Sequence, residues 1–332
     1  MNTVSIALQT DKSASDYVAL AQLIDRYDFD VVSVYCDAPY HPSYAPLLLM
    51  APHLSRARLG AAAVPPARIH PIDIAAQTAL LAQIARGGVY VGLARGAWLD
   101  DHGMHESGKP IQQIREAANV VRYLLRGDSG GYHGEVYRLA EHVRAPYPLP
   151  PAPIPLLIGS WGRKLCALAG EIADEVKVGG SANPDIVPVI KGYVAEGERL
   201  SGRPVGGVGV VLGAVTVVDE DRQRARDAAR RSVALYLPVV APLDPTVQVD
   251  PELLDQLRLL VERGDLKETP SLISDEILDR FAFSGTPADI IRQCEGLFAT
   301  GVSRIEFGTP HGLPSPRGIQ LLGQHVVPAL KR

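Results

Sequence analysis

Cysteine, aromatic side chains and long uninterrupted apolar runs are all scarce in this chain of 332 residues. The three cysteines, Cys36, Cys166 and Cys294, are odd in number and far apart, so we expect small buried thiols rather than disulfides or a zinc site. The most continuous apolar run, 205–218, is interrupted by glycine and is too short to span a bilayer. Residues 1–16 lack a basic start followed by an apolar core, so we expect no secretory signal and a cytoplasmic protein.

An excess of charge of one sign is also missing. The chain has 33 basic and 37 acidic residues, a formal net charge of −4, and no block of like charge. Nucleic acids and anionic membranes attract clustered basic side chains, so we expect neither as a partner. Apolar residues make up 46% of the chain, which is enough to bury a sizeable core in one large domain or two ordinary ones.

Short apolar runs alternate with stretches of helical spacing along the whole chain. Strands that are apolar throughout indicate a parallel sheet covered by helices. Eight such units favour one (β/α)8 barrel domain, a TIM barrel, that spans residues 1–332. The predicted strands are 4–8, 31–35, 58–63, 89–93, 155–158, 175–178, 208–218 and 304–307.

One segment, 237–282, is too long for an ordinary loop between the seventh helix and the eighth strand. It contains two stretches with helical character, 251–262 and 274–281, and we interpret it as an insertion near the barrel mouth. Asp219 is predicted to cap the seventh helix. The sequence YHGEVYRL, which begins at Tyr132, alternates like a short hairpin.

The carboxyl ends of the predicted strands carry few acids or bases, although this is the functional face of a barrel. No lysine is placed for a Schiff base, no pair of acids follows the strands, and no cluster of metal ligands appears there, so we expect no metal site. Chemistry on such a face belongs to a bound cofactor, for which the protein supplies shape and orientation.

Two small turns end the fifth and sixth predicted strands, at 159–162 and 179–181. Neighbouring strands would bring these turns together, so that glycine N–H groups, serine hydroxyls and a helix N-terminus surround one point, as in a phosphate site. Ordinary strand-to-helix turns are the alternative, because glycine-rich loops are common. The candidate residues are Gly159, Ser160, Trp161, Gly162, Gly179, Gly180 and Ser181.

Three longer segments resemble a known family. The segment IHPIDIAAQTALLAQIARGGVYVGLARGAW, 69–98, resembles the luciferase-like monooxygenase superfamily, in which His-Pro opens the third helix and Gly-Leu-Gly-Arg-Gly ends the fourth strand. ISDEILDRFAFSGTPADIIRQC, from Ile273, and GVSRIEFGTPHG, from Gly301, resemble the branch typified by methylenetetrahydromethanopterin reductase, which uses the deazaflavin coenzyme F420. The resemblance covers roughly 4–313.

The resemblance implies an F420-dependent oxidoreductase that transfers a hydride between the deazaflavin and a small organic substrate, at a C=C, C=N or carbonyl carbon. We also expect a homodimer. An FMN-dependent monooxygenase of the same superfamily is the main alternative. Two others stay open: a barrel isomerase or aldolase without a redox cofactor, and a flavin-binding protein without enzymatic activity.

The resemblance also places cofactor residues. Members of the superfamily hold a non-prolyl cis peptide at the end of the third strand, behind the flavin ring, and this position matches Ala62–Ala63, followed by Val64. An acid at the end of the second strand matches Asp37, whose alternative is a loop or capping residue. Arg95 and Gly96, after the fourth strand, match positions that line the cleft. Asp37 and Arg95 are therefore the candidate catalytic residues, and Asp37 and Gly96 also count as cofactor contacts.

The candidate substrate-binding residues are less closely matched to the family. Gln9 stands where many relatives carry Glu, and Ala38 stands where the monooxygenase branch usually has His. The nearest imidazole in the chain is that of His41. Solvated loop residues are the alternative for the histidines, and ordinary packing is the alternative for the tryptophan. The candidates are Gln9, His41, Trp98 and His311.

Overall fold

The computed structural model describes residues 2–331, in which eleven strands form. Eight of these strands are parallel neighbours in the order β9, β11, β1, β2, β3, β4, β7 and β8, and β8 pairs with β9 to close the ring. The (β/α)8 barrel is thereby confirmed. The strands are β1 (Thr3–Leu8), β2 (Val31–Val34), β3 (Arg58–Ala61), β4 (Val89–Ala94), β5 (Tyr132–His133), β6 (Arg138–Leu139), β7 (Leu156–Gly159), β8 (Glu175–Gly179), β9 (Gly209–Val218), β10 (Ala282–Gly285) and β11 (Arg304–His311).

Each barrel strand lies within a few residues of its predicted position. The predicted hairpin at Tyr132 is also present, as the antiparallel pair of β5 and β6. Most residues on both faces of these strands are apolar, because helices cover the outer face and the inner face lies inside the closed barrel.

Helices follow the barrel strands and pack outside them. They are α1 (Ala14–Ile24), α2 (Tyr44–Met50), α3 (Pro71–Ile84), α4 (Pro110–Arg126), α5 (Arg163–Ile172), α6 (Ile186–Leu200), α7 (Arg222–Ala234), α8 (Leu237–Val240), α9 (Pro251–Glu262), α10 (Thr269–Leu272), α11 (Asp275–Phe281), α12 (Pro287–Ala299), α13 (Ser315–Leu321) and α14 (Val327–Leu330). A π-helical turn, Leu322–Val326, joins the last two. Among the described residues, no helix combines the length and apolar character that a membrane span requires.

Local capping explains where several helices begin. Ser13 and Thr286 each form a capping box at the start of α1 and α12. The prediction for the cap of α7 was wrong by two residues: Asp221, not Asp219, accepts the N–H groups of Gln223 and Arg224. Asp219 instead accepts the N–H of Asp221 and fixes the loop that leads into the helix.

The predicted insertion contains the helices α8 to α11 and ends in β10, a strand that the sequence analysis missed. β10 pairs in parallel with the outer part of β9, from Val215 to Val218, beyond the point where β9 pairs with β8. The buried amide of Asn183, after β8, donates to Asp244 of the segment at 2.9 Å. The Arg280 guanidinium donates to the Asn183 amide oxygen at 3.0 Å, so the segment is fixed to the barrel mouth.

Charged side chains occupy the inside of the barrel, where branched apolar residues are the usual filling. Lys177 on β8 forms an ion pair with Glu306 on β11, and both are buried. Ser33 on β2 donates to the second carboxylate oxygen of Glu306 at 2.6 Å. Below this layer, buried Arg304 donates to Glu175 at 2.8 Å. Each buried charge therefore has a partner of opposite sign, which offsets the cost of its desolvation.

Candidate functional site

Small residues form a floor on one side of the barrel mouth, above β3, β4 and β7. The Ala62–Ala63 peptide bond is cis, as predicted. The backbone N–H of Val64, the next residue, donates to the Gly92 carbonyl at 2.9 Å. A Cβ added to Gly159 would lie 3.2 Å from the Cβ of Ala94 and 3.7 Å from that of Ala63. The absence of larger side chains at these neighbouring positions leaves room for a flat group to lie against the backbone.

The loop after β4 turns sharply beside this floor. Gly96 has a φ of 95°, and a Cβ there would come within 2.8 Å of Pro65, so the position requires glycine. Arg95 is more than half exposed, and its Nε donates to Glu106 at 2.9 Å. The hydrogen bond with Glu106 raises the pKa of Arg95. Arg95 therefore has a partner within its own loop and would have to leave it to reach a bound molecule.

Two predicted residues meet at the ends of β1 and β2. The Gln9 side-chain amide donates to the Asp37 carboxylate at 2.9 Å, while its oxygen accepts the N–H of Thr10 at 2.8 Å. Arg68 donates to the Asp37 carbonyl at 2.5 Å and to the Tyr40 carbonyl at 2.6 Å, which fixes the loop after β2. The Asp37 carboxylate is thus oriented at the mouth by Gln9 and is partly exposed to solvent.

Tyr236, which the sequence analysis missed, reaches across the mouth toward these residues. Its ring centroid lies 6.3 Å from that of Trp98, and the Asp37 carboxylate and the Gln9 side chain are close enough to its hydroxyl to influence its pKa. Burial, and then the negative charge of Asp37, raise the pKa of Tyr236 to about 12. The residue lies in the apolar run ALYLPVV, where nothing in the sequence pattern distinguishes a cleft residue from a core residue.

The first glycine turn, after β7, begins α5. Its Ser160 hydroxyl accepts the N–H of Gly162 at 3.0 Å, and the indole N–H of Trp161 donates to the Gly179 carbonyl at 2.9 Å. The predicted convergence of the two turns is therefore present, with Trp161 as the link. The start of α5 is exposed, and the first N–H groups of a helix have no acceptor within the helix, so they are available to an anion.

The second turn does not offer the donors that the sequence analysis assigned to it. The N–H groups of Gly180 and Ser181 both donate to the Gly213 carbonyl, at 2.6 and 3.0 Å. The Ser181 side chain is fully buried, and its hydroxyl accepts the N–H of Asn183 at 3.1 Å. Gly179 supplies a carbonyl to Trp161 rather than a donor to a ligand. The second turn therefore holds the first one in place through the Gly179 carbonyl, and only the start of α5 remains as the candidate anion site.

The two predicted histidines have different surroundings. His41 is exposed beside the mouth, and its backbone N–H donates to the Thr10 carbonyl at 3.0 Å. His311 is fully buried, with Nε2 at 3.0 Å from the Ala7 carbonyl and Nδ1 at 3.2 Å from the Ser315 hydroxyl. Burial lowers the pKa of His311 to about 4, so the ring is neutral at pH 7. Because no part of His311 faces the cleft, we remove it from the candidate substrate-binding residues.

Metal ligands and reactive thiols play no part in this arrangement. Within residues 2–331, no group of three or more His, Cys, Asp or Glu side chains is arranged to hold a metal ion. Cys36, Cys166 and Cys294 are free and buried, as predicted, and burial raises the pKa of Cys166 to about 11. These thiols are therefore packing residues.

The bond between the two turns leads to a prediction. Trp161→Phe keeps an aromatic ring but removes the donor to Gly179, and we expect the free energy of unfolding to fall by about 0.5–1.5 kcal/mol. Chemical denaturation measures the change. Trp98→Phe is the matched control, because it removes the other indole of the mouth without breaking a bond between the turns. Equal stability of Trp161→Phe and the unmodified protein would contradict a linking role for the indole.

Comparison with known proteins places this site in a family context. Residues 1–304 match the sequence profile of the luciferase-like monooxygenases. The chain is 30% identical over 300 residues to 5,10-methylenetetrahydromethanopterin reductase of Archaeoglobus fulgidus, with 87% of each chain covered. It is 24% identical over 331 residues to an F420-dependent glucose-6-phosphate dehydrogenase of Nakamurella multipartita, covering 96% of this chain and 93% of the other.

A solved structure supports the same fold. The coenzyme F420-dependent tetrahydromethanopterin reductase of Methanopyrus kandleri superposes with a TM-score of 0.90 over 99% of both chains, at 24% identity. The similarity over the full length includes the segment 237–282.

Proposed function

The chain belongs to the luciferase-like monooxygenase family, and we propose that it is a coenzyme F420-dependent oxidoreductase acting on a small organic substrate. The observation that carries the proposal is the floor of small residues at Ala63, Ala94 and Gly159, which lies beside the exposed N-terminus of α5. A planar ring with a phosphate-bearing tail needs these two features next to each other. F420, when bound, supplies a carbon atom that gives or accepts a hydride.

The residues of the mouth fit such a cofactor. The floor would allow the ring to approach the backbone at Ala62–Ala63, and Gly96 lets the loop after β4 pack closely against Pro65 beside it. The start of α5 and the Ser160 hydroxyl would hold the tail phosphate, because the helix dipole favours negative charge there. Lys164 on the first turn of α5 is exposed and adds a positive charge. In this arrangement the protein contributes mainly by holding the reacting groups in position.

Asp37 and Gln9 would lie on the opposite side of the mouth, where the substrate is expected. Trp98 and His41 border the same space and remain candidate substrate contacts. Arg95 remains a candidate catalytic residue only if the bound state releases it from Glu106. The substrates named for the relatives are not transferred to this chain, because substrate specificity changes more readily than fold.

Cofactor choice tests the proposal directly. We expect F420 to bind at least about tenfold more tightly than FMN, a difference of about 1.4 kcal/mol. The chain contains two tryptophans, Trp98 and Trp161, and both lie at the mouth, so quenching of their fluorescence reports the binding of either cofactor.

Oxygen dependence separates the proposed reaction from the monooxygenase alternative. We expect oxidation of reduced F420 by the substrate to proceed equally well under nitrogen. Tighter binding of FMN, together with oxygen consumption coupled to loss of substrate, would show that the chain is a monooxygenase instead.

We also propose a homodimer in the cytoplasm, without nucleic acid or membrane as a partner. The balanced charge of the chain supports the absence of nucleic acid and membrane partners, because the chain offers no basic block to a polyanion. Analytical ultracentrifugation of the purified protein tests the oligomeric state, and sedimentation with anionic vesicles or duplex DNA tests the partners.

A further inference from the structure

Reduction of a polar double bond needs a proton donor as well as a hydride, and several polar or charged residues near this mouth are not free to serve. Ala38, beside Asp37, has no polar side chain. His311 is buried with both nitrogens in contact with protein oxygens. Arg95 is paired with Glu106, and the Lys12 ammonium is bound to Asp11 and to the Gln9 carbonyl.

Tyr236 is placed where such a donor is needed. It lies in the short turn between α7 and α8, and its ring approaches Trp98 of the loop after β4. The Asp37 carboxylate and the Gln9 side chain are close enough to its hydroxyl to influence its pKa. The residue is partly exposed, which gives a small molecule in the mouth and water access to it.

We propose that the Tyr236 hydroxyl donates the proton to the oxygen or nitrogen of a substrate C=O or C=N group, an inference that rests on the proposed function. The substrate carbon gains a hydride from reduced F420, and the π electron pair moves onto the heteroatom. The heteroatom takes the hydroxyl proton of Tyr236, and the phenolate regains a proton from water. The second hydrogen given up by reduced F420 enters solvent as a proton, so the overall change is the addition of two hydrogens to the double bond.

The surroundings of Tyr236 suit this role. The hydroxyl is protonated at neutral pH, as in any tyrosine of ordinary or raised pKa, so it is a donor before the hydride arrives. The negative charge of Asp37 disfavours the phenolate, which favours its reprotonation by water. The assignment also selects the substrate class: a carbonyl or imine compound has a heteroatom that accepts this proton, whereas an isolated C=C bond has none.

The test compares Tyr236→Phe with the unmodified protein. The variant retains the ring that packs near Trp98 and removes one hydroxyl. Tyr132→Phe is the matched control, because Tyr132 lies on the β5–β6 hairpin. The probes are acetone, cyclohexanone and 1-pyrroline, each mixed with reduced F420 and protein under nitrogen. We expect the rate of hydride transfer to fall about a hundredfold in Tyr236→Phe, with F420 affinity changed less than twofold.

A second measurement reports the hydrogen bond without turnover. Cyclohexanone labelled with carbon-13 at the carbonyl is bound to the protein with oxidised F420, and its C=O stretching frequency is recorded by infrared difference spectroscopy. A donated hydrogen bond lowers this frequency in the unmodified protein and in Tyr132→Phe, and we expect the shift to disappear in Tyr236→Phe.

The outcomes separate the inference from the proposed function. A protein that does not bind F420 contradicts the proposed function. Binding of F420 without reduction of any of the three probes contradicts the substrate class assigned here. Reduction at an unchanged rate in Tyr236→Phe, or an unchanged C=O frequency, would show that another group donates the proton and that Tyr236 is only a wall of the pocket.

Discussion

Gly159→Leu is expected to weaken F420 binding by about a thousandfold or more, which corresponds to about 4 kcal/mol. The isobutyl group would stand on the floor between Ala63 and Ala94, in the space assigned to the cofactor ring. The fold should persist, because Gly159 lies at the partly exposed end of β7 and its φ is not in the left-handed region. Titration of tryptophan fluorescence with F420 measures the affinity, and circular dichroism checks the fold.

Two further variants make this result specific. Gly159→Ala adds only a Cβ, 3.2 Å from that of Ala94, and should weaken binding far less than leucine. Gly192→Ala, in the middle of α6, meets no atom within 4 Å and should leave the affinity unchanged while stabilising the helix by about 0.5–1 kcal/mol. If Gly159→Leu binds F420 as tightly as the unmodified protein, the ring lies elsewhere and the floor has another purpose.

Lys177→Met is expected to destabilise the protein by about 3–5 kcal/mol, because it leaves the buried Glu306 carboxylate without its ammonium partner. Ser33 and Arg304 remain near that carboxylate, so the protein should still fold. The double variant Lys177→Met, Glu306→Leu removes both charges and should recover most of the lost stability. Urea denaturation of the three proteins measures the difference.

The pH dependence provides a second test of this pair. Burial raises the pKa of Glu306, but Lys177 and Arg304 outweigh burial and hold the pKa below its ordinary value. A carboxyl whose pKa is lower in the folded state stabilises the fold at pH values above its unfolded pKa, about 4.3, and this contribution is lost as the pH falls below it. The stability difference between the unmodified protein and the double variant should therefore shift against the unmodified protein below about pH 4. A difference independent of pH between 3 and 7 would contradict an ionised Glu306.

The barrel itself could be predicted because its signals are local. Apolar runs such as 31–35 and 89–93 are short, continuous and separated by helical spacing, and each became a strand within a few residues of the predicted bounds. The missed strand β10 has only four residues and directly follows a helix, so its sequence carries no separate period. It exists because the long strand β9 leaves an edge beyond β8 to which it can pair.

Only those features of the candidate site that arise from residues consecutive in the chain could be predicted from the sequence. The cis bond at Ala62–Ala63 is a feature of consecutive residues, and family resemblance placed it correctly along the chain. The turn at Ser160 is also local, and the glycine-rich pattern predicted it. Hydrogen bonds of the second turn were not predictable, because the acceptor for Gly180 is the carbonyl of Gly213 on another strand.

The sequence by itself determined the alternation of strands and helices, and with it the face on which the functional loops lie. Tertiary structure alone decided which side chains meet there. Tyr236 lies 199 residues from Asp37 in the sequence, yet barrel closure and the course of α7 bring both to one mouth. His311 has the same end-of-strand position as Asp37, yet it is buried against Ala7. The physical reason is that a sequence period fixes the direction of a side chain relative to its own strand, whereas burial and contact depend on strands that are distant along the chain.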